Sequence, residues 1–252
     1  EVPIESLLSN TYTEQRRKLL RHDRAWPGMP PAGDPYQRSP YGPSLEDQKS
    51  NDGVPAGSLD TSYVCVTDQH GNIFSCTPSD VAKDSPIIPG TGLCPSSRGS
   101  QSWAIPGHPC SIEPGKRPRL TPNPALAIRK DDFAIPFGTP GGDIQVQAML
   151  QCLLNIIEWK LDPQQSVEAP RFGSYSFPDS FEPHDYHPGK LMLESRFDDD
   201  LYSELNGLGH LTEEWPNLTW KAGAVCMIYS DLNSGIQTAG ADPRRPTYAV
   251  GW

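Results

Sequence analysis

The sequence lacks any apolar run long enough to span a membrane; the best candidate, Ala148 to Trp159, is interrupted by Gln151, Asn155 and Glu158. It has no Cys-x-x-Cys pair, and six cysteines in 252 residues are too few for a disulfide scaffold. Cys65, Cys152 and Cys226 fall in apolar runs and read as buried free thiols. The six histidines are scattered. His184 and His187 share a Pro-rich loop, and no metal site is expected of them. Positive charge is short: 21 Lys and Arg against 31 Asp and Glu leave a net charge of −10. That balance excludes nucleic acid and anionic membrane surfaces as expected partners. No initiating Met and no signal peptide are present. The chain beginning at Glu1 reads as a fragment or processed subunit, with its compartment, cytoplasmic or periplasmic, left open.

What is abundant is proline. The 28 prolines are about twice the usual share and argue for many irregular connections. Seven of them, Pro27, Pro30, Pro31, Pro35, Pro40, Pro43 and Pro55, fall between Arg24 and Asp60, a stretch dominated by Pro, Gly, Ser and Asp that reads as a linker or meandering surface segment. Before it, Thr11-x-x-Glu14 predicts a capping box and a helix from about Tyr12 to Arg21. After it, three hairpins are expected. Tyr63–Thr67 and Ile73–Thr77 flank the turn residues Asp68-Gln69-His70-Gly71-Asn72. Ala125–Ile128 pairs with Phe133–Phe137, and Ala224–Tyr229 with Ile236–Ala239. Asp143 is expected to cap a helix reaching about Lys160, with Ile144, Ala148, Leu150, Leu154, Ile157 and Trp159 as its apolar surface. Ser195 is expected to cap a shorter helix ending near Gly207. Helices segregated between hairpins predict an α+β fold with helices on antiparallel sheets.

Two segments carry chemistry. Thr61 stands where the Pro-rich linker meets the first strand, and Thr139-Pro140-Gly141-Gly142-Asp143 opens the long helix. A hydroxyl at a chain break and backbone N–H groups at a helix N-terminus are the parts an amide-cleaving enzyme needs.

Five stretches, in order, resemble the γ-glutamyltransferase family. They are Thr61-Ser62-Tyr63 with Asp68-x-x-Gly71-Asn72; Pro114-Gly115-Lys116-Arg117-Pro118; Gly138-Thr139-Pro140-Gly141-Gly142; Glu168-Ala169-Pro170-Arg171-Phe172; and Ala241-Asp242-Pro243-Arg244-Arg245 through Gly251-Trp252. The resemblance implies a four-layer αββα sandwich of the N-terminal-nucleophile hydrolase type. Residues 61–252 would be the small catalytic subunit. Residues 1–60 would be the last part of the large subunit, a partner mostly absent from this chain. It also implies self-cleavage between Asp60 and Thr61, Thr61 as nucleophile with its own freed amine as base, and no cofactor. A reference pKa of about 7.7–8.0 suits such an amine to that task near neutral pH. Gly141 and Gly142 match the oxyanion-hole glycines, and Ser79 the hydroxyl that holds the nucleophile.

The pocket departs from the family pattern. Thr121 falls on the second of two substrate-binding serines, and Leu120 on the first. Val81 replaces an Asn. Gly99 stands where the family has the acid that grips the substrate's ammonium, and Arg98 puts a cation beside it. These changes favour a small-molecule amide whose acyl part carries a carboxylate, oxamate-like or glutaryl-like, with Arg98 as its partner. A true γ-glutamyl hydrolase or transferase is the alternative, and an inactive scaffold a third.

Overall fold

The computed structural model describes residues 3–31, 33–36, 61–80 and 85–252. Most of the Pro-rich linker, Asp60 and Val81 lie outside them. The N-terminal part holds two short helices, α1 (Ile4–Leu7) and α2 (Asn10–Arg17). Ser9, not Thr11, caps α2: its hydroxyl accepts from the Tyr12 N–H at 3.2 Å, so the helix begins earlier than expected.

The first expected hairpin is β1 (Val64–Thr67) with β2 (Ile73–Cys76), Val64 opposite Cys76. The Asp68 carboxylate closes its turn by accepting from the His70 and Asn72 N–H groups at 2.8 and 2.9 Å. The second is β3 (Ala125–Arg129) with β4 (Phe133–Gly138). Helix α3 (Ile144–Ile157) follows, then α4 (Pro163–Glu168), β5 (Phe172–Ser174), β6 (Lys190–Glu194), α5 (Asp199–Gly207) and β7 (Leu211–Trp215). The third hairpin is β8 (Cys226–Asp231) with β9 (Gln237–Ala241).

Antiparallel strands in the order β3-β4-β8-β9 form the main sheet. Helices α3 and α4 pack on it, and the β1–β2 hairpin also lies against β4 and β8. Every residue of β4 is buried in consequence. Gly138 at its end is required: a side chain there would collide with the Tyr63 ring. The core joins Phe133, Ile135 and Phe137 of β4 to Ile144, Ala148, Met149, Cys152 and Ile156 of α3. The α3 stripe is therefore rotated from the expected one. Leu150 and Trp159 are exposed, while Met149 and Cys152 are buried, because the helix also faces α4 and β5.

Two expected caps are corrected. The carboxylate of Asp143 makes no capping bond to α3 and accepts from Ser180 instead. The α5 helix starts after Asp198, not at Ser195, whose N–H donates to the Trp215 carbonyl at 2.9 Å. The second sheet, β5-β6-β7, was not expected at all. Its β6–β7 pair is parallel, joined through α5, and β5 has three residues. The fold is α+β. Of the three thiols expected to be buried, Cys152 is fully buried, whereas Cys65 and Cys226 are half-buried.

Candidate active site

The Ser62 N–H donates to the Pro78 carbonyl at 3.0 Å, clamping the entry to β1 against the exit from β2. That closure brings two hydroxyls together from 18 positions apart: Thr61 Oγ1 lies 2.6 Å from Ser79 Oγ. Thr61 is 8% exposed, shielded except on the side of a cleft of about 490 Å³. Tyr63, Cys65, Pro140, Cys226, Arg245 and Tyr248 are among the residues lining that cleft with it.

Arg98 completes the contact. It sits on a 3₁₀ turn, Ser97–Gln101, started by Ser96, whose hydroxyl accepts from the Arg98 N–H at 3.1 Å. The side chain is buried. Its Nε donates to the Ser79 carbonyl at 3.0 Å and its Nη2 donates to Ser79 Oγ. Burial pulls the guanidinium pKa down from its ordinary value, and the charge of Asp80 opposes this. Arginine titrates so high that it stays cationic at neutral pH.

The guanidinium carbon is 5.5 Å from the centre of the Phe181 ring. The same ring stands 3.6 Å from where a Gly142 Cβ would be, so Phe181 links the Arg98 corner to the glycine loop. Phe181 is fixed by its own segment: His184 stacks on Trp103 at 3.8 Å, and Ser180 donates from N and Oγ to Asp143 at 2.7 and 2.5 Å.

The glycine loop is held from below. Thr139, fully buried, donates through Oγ1 to the Pro140 carbonyl at 2.7 Å and accepts from the Ala224 N–H at 2.6 Å. Gly141 and Gly142 have φ of +132° and +56°, conformations that a side chain resists. Their carbonyls accept from Ile144 and Gln145, which starts α3 and turns the two peptide planes. Among the described residues no protein acceptor takes the N–H of Gly141 or Gly142. A positive helix end and two available donors make this a place for negative charge.

Two expected residues lie elsewhere. Gly99 is exposed and lines a second cavity of about 200 Å³ with Ser111, Glu113 and Lys116. Thr121 exchanges bonds with the buried Gln101, its N–H donating to Oε1 at 3.2 Å and its hydroxyl accepting from Nε2 at 3.0 Å. It braces the turn that carries Arg98. Phe181, Gln101 and Ala224 were missed by sequence reading, since nothing in a single chain marks such distant supports.

The cleft's thiols are poor nucleophiles. Burial pushes Cys65 up to about 11, and Cys226 upward as well, so both are protonated at neutral pH.

Behind the site lies an ionic network. Arg171 pairs with Asp242 at 2.6 Å, and Arg244 with Glu194 at 2.6 Å and with Asp242 at 3.2 Å. Arg171 also donates to the Ala222 carbonyl at 3.2 Å, and Asp242 accepts from the Val225 N–H at 2.8 Å. The network thus fixes the strand entry that holds Thr139.

Comparison with known proteins gives the family. The family model described as gamma-glutamyltranspeptidase matches residues 1–252, and the chain belongs to that family. A glutathione hydrolase proenzyme from Bacillus subtilis (strain 168) is 27% identical over 252 residues, covering 99% of this chain and 40% of the relative. An oxamate amidohydrolase proenzyme from Klebsiella pneumoniae is 28% identical over 227 residues, covering 86% of this chain and 40% of the relative. The solved structure of LmbA2991HD superposes with a TM-score of 0.88 at 34% identity, covering 100% of this chain and 44% of that one. The chain therefore spans about two fifths of the length of these relatives.

Proposed function

We propose that the protein of which this chain is part is an N-terminal-threonine amide hydrolase or acyltransferase that cuts itself between Asp60 and Thr61. The observation that carries the reading is the 2.6 Å contact of the Thr61 and Ser79 hydroxyls at the wall of a cleft that Pro140, just before the two glycines, also lines. The relatives' description as proenzymes supports the processing step. The remainder of their length would supply the large subunit and the outer layer of a four-layer αββα sandwich.

In this reading cleavage frees the Thr61 α-amine. The amine takes the proton from Thr61 Oγ1 as that oxygen attacks the amide carbon. The tetrahedral oxyanion is met by the N–H groups of Gly141 and Gly142. Collapse breaks the C–N bond and returns the proton to the leaving amine. Water, or an acceptor amine, then attacks the ester and regenerates Thr61. The test is Thr61→Ala in the full-length protein. It should stay a single chain and lack amidase activity. A processed, active variant would remove Thr61 from the mechanism.

For substrate, we infer an amide whose acyl part bears a carboxylate and no ammonium. A buried cation at Arg98 repels an ammonium near the scissile bond, and one relative is named for oxamate. The second reading, a γ-glutamyl substrate, draws on the relative named glutathione hydrolase. Side-by-side kinetics on a γ-glutamyl anilide and its des-amino glutaryl analogue separate them: clear preference for the glutamyl compound defeats the carboxylate reading.

A further inference from the structure

Arg98 is buried although a guanidinium loses much hydration there, and its geometry indicates the work it does. Its Nε and Nη2 both go to Ser79, one to the carbonyl and one to the hydroxyl oxygen. We propose that Arg98 is a positioning residue that acts through Ser79 on Thr61, and is not the direct ion-pair partner of a substrate carboxylate. The inference rests on Thr61 being the nucleophile.

The logic is one of donors and lone pairs. A serine hydroxyl has one proton and two acceptor sites. Ser79 Oγ accepts from Arg98 and faces Thr61 Oγ1 at 2.6 Å. Before reaction the Thr61 O–H can donate to Ser79. Once Thr61 has lost its proton, the Ser79 O–H rotates to donate to it. The guanidinium polarises Ser79 in that role and strengthens the bond, as charge-assisted chains do. The Ser79 carbonyl contact keeps the guanidinium in register, and Phe181 covers its face. The charge of Asp80 also acts on Arg98, and its Oδ1 accepts from the Ser96 hydroxyl at 2.6 Å. The guanidinium charge also disfavours protonation of the neighbouring Thr61 amine.

The experiment uses the full-length processed protein and two readouts. One is the rate at which phenylmethylsulfonyl fluoride labels the fragment beginning at Thr61, followed by intact mass across pH 5 to 10. The other is kcat and KM on a glutaryl anilide. Arg98→Met, Arg98→Lys, Ser79→Ala and the Arg98→Met/Ser79→Ala double variant are compared, with melting temperature checking the fold. Arg98→Met should slow both labelling and kcat on the order of 10- to 100-fold. It should also move the acid limb of the labelling rate to higher pH, and Arg98→Lys should recover part of both effects. The double variant should be no slower than the worse single one, because both changes break one chain. If Arg98→Met raises KM alone and leaves labelling unchanged, Arg98 is a substrate-binding group and the proposal is overturned. Multiplicative losses in the double variant overturn it too. Equal labelling of the parent and Thr61→Ala, or none in the parent, overturns the nucleophile reading itself and this inference with it.

Discussion

At the scale of single residues, glycines decide more than the polar groups around them. Gly142 holds φ of +56°, which a β-branched side chain strongly resists. Gly142→Val should turn its peptide away and lower kcat by roughly 10²–10³ with little change in KM, since such donors act on charge that develops in the transition state. Steady-state kinetics check it; a change confined to KM would place the loop in ground-state binding. Gly138 has a different reason to be glycine, since the Tyr63 ring fills the space of a side chain. Tyr63 is itself held by a 2.8 Å bond to Ser75 Oγ. Gly138→Ala should therefore destabilise by about 1–3 kcal/mol, as overpacking does. It should also lower activity, because Tyr63 is two residues from Thr61. Thermal melts read the first effect and turnover the second. The glycine turn at Gly141 and Gly142 before the long helix was legible in the sequence. The need for Gly138 was not, since its neighbour, Tyr63, sits just before β1, 75 positions away.

At the scale of elements, hairpins were legible and their surroundings were not. Each expected hairpin has its turn chemistry within a few residues, as the Asp68 turn illustrates. The α3 helix was also legible, but Asp143 at its start serves a tertiary contact rather than the cap. Its bonds to Ser180 fasten the loop bearing Phe181 across the glycine turn. Asp143→Ala should lower stability by about 1.5–3 kcal/mol, the worth of hydrogen bonds to a charged group. It should also depress kcat, because the Phe181 ring would lose its seat beside Arg98 and Gly142. Denaturant melts and turnover measured together test this; an unchanged kcat would detach the loop from catalysis. By contrast, Asp162 is a true cap. Its carboxylate accepts from the Gln165 N–H at 2.8 Å in a capping box that starts α4. This helix was missed because its six residues are too few to display a period. The β5–β7 sheet was missed for a related reason. Parallel pairing of β6 with β7 is invisible to local turn signals, and its strands are short.

At the scale of the whole molecule, two of the five stretches that resemble the family build the ionic network behind the site. Arg171 comes from the Glu168–Phe172 stretch, and Asp242 and Arg244 from the C-terminal one. Glu194, which no motif included, neutralises Arg244 at 2.6 Å and Arg196 at 3.0 Å. Burial pushes the Glu194 carboxyl up, but bonds and charge from Arg244, with Arg196 adding to them, outweigh it and hold the pKa below its ordinary 4.5. The sign for stability follows. A depressed carboxylate stabilises the fold above its unfolded pKa, and this is lost as pH falls through the lower folded value. Acid unfolding should therefore steepen below about pH 4.5. Glu194→Gln should flatten that limb and cost about 3–5 kcal/mol near neutral pH, because Arg244 is left buried with less charge to meet it. Melting temperature against pH for both proteins checks the prediction. A parallel pair of curves would show that Glu194 does not drive the acid limb.

The sequence by itself determined the α+β class, the three hairpins and the long helix, and it named candidate residues for amide cleavage, because each is written in neighbours a few positions apart. The tertiary structure alone decided which of those residues meet. Thr61 and Ser79 touch because a hairpin closes between them, and Arg98 reaches Ser79 only when its turn packs beneath. Gly99, one position from Arg98, faces another cavity because a tight turn sends successive residues in different directions. Contacts between distant segments depend on how whole layers bury their apolar faces, and that is a property of the packed molecule rather than of any stretch of its chain.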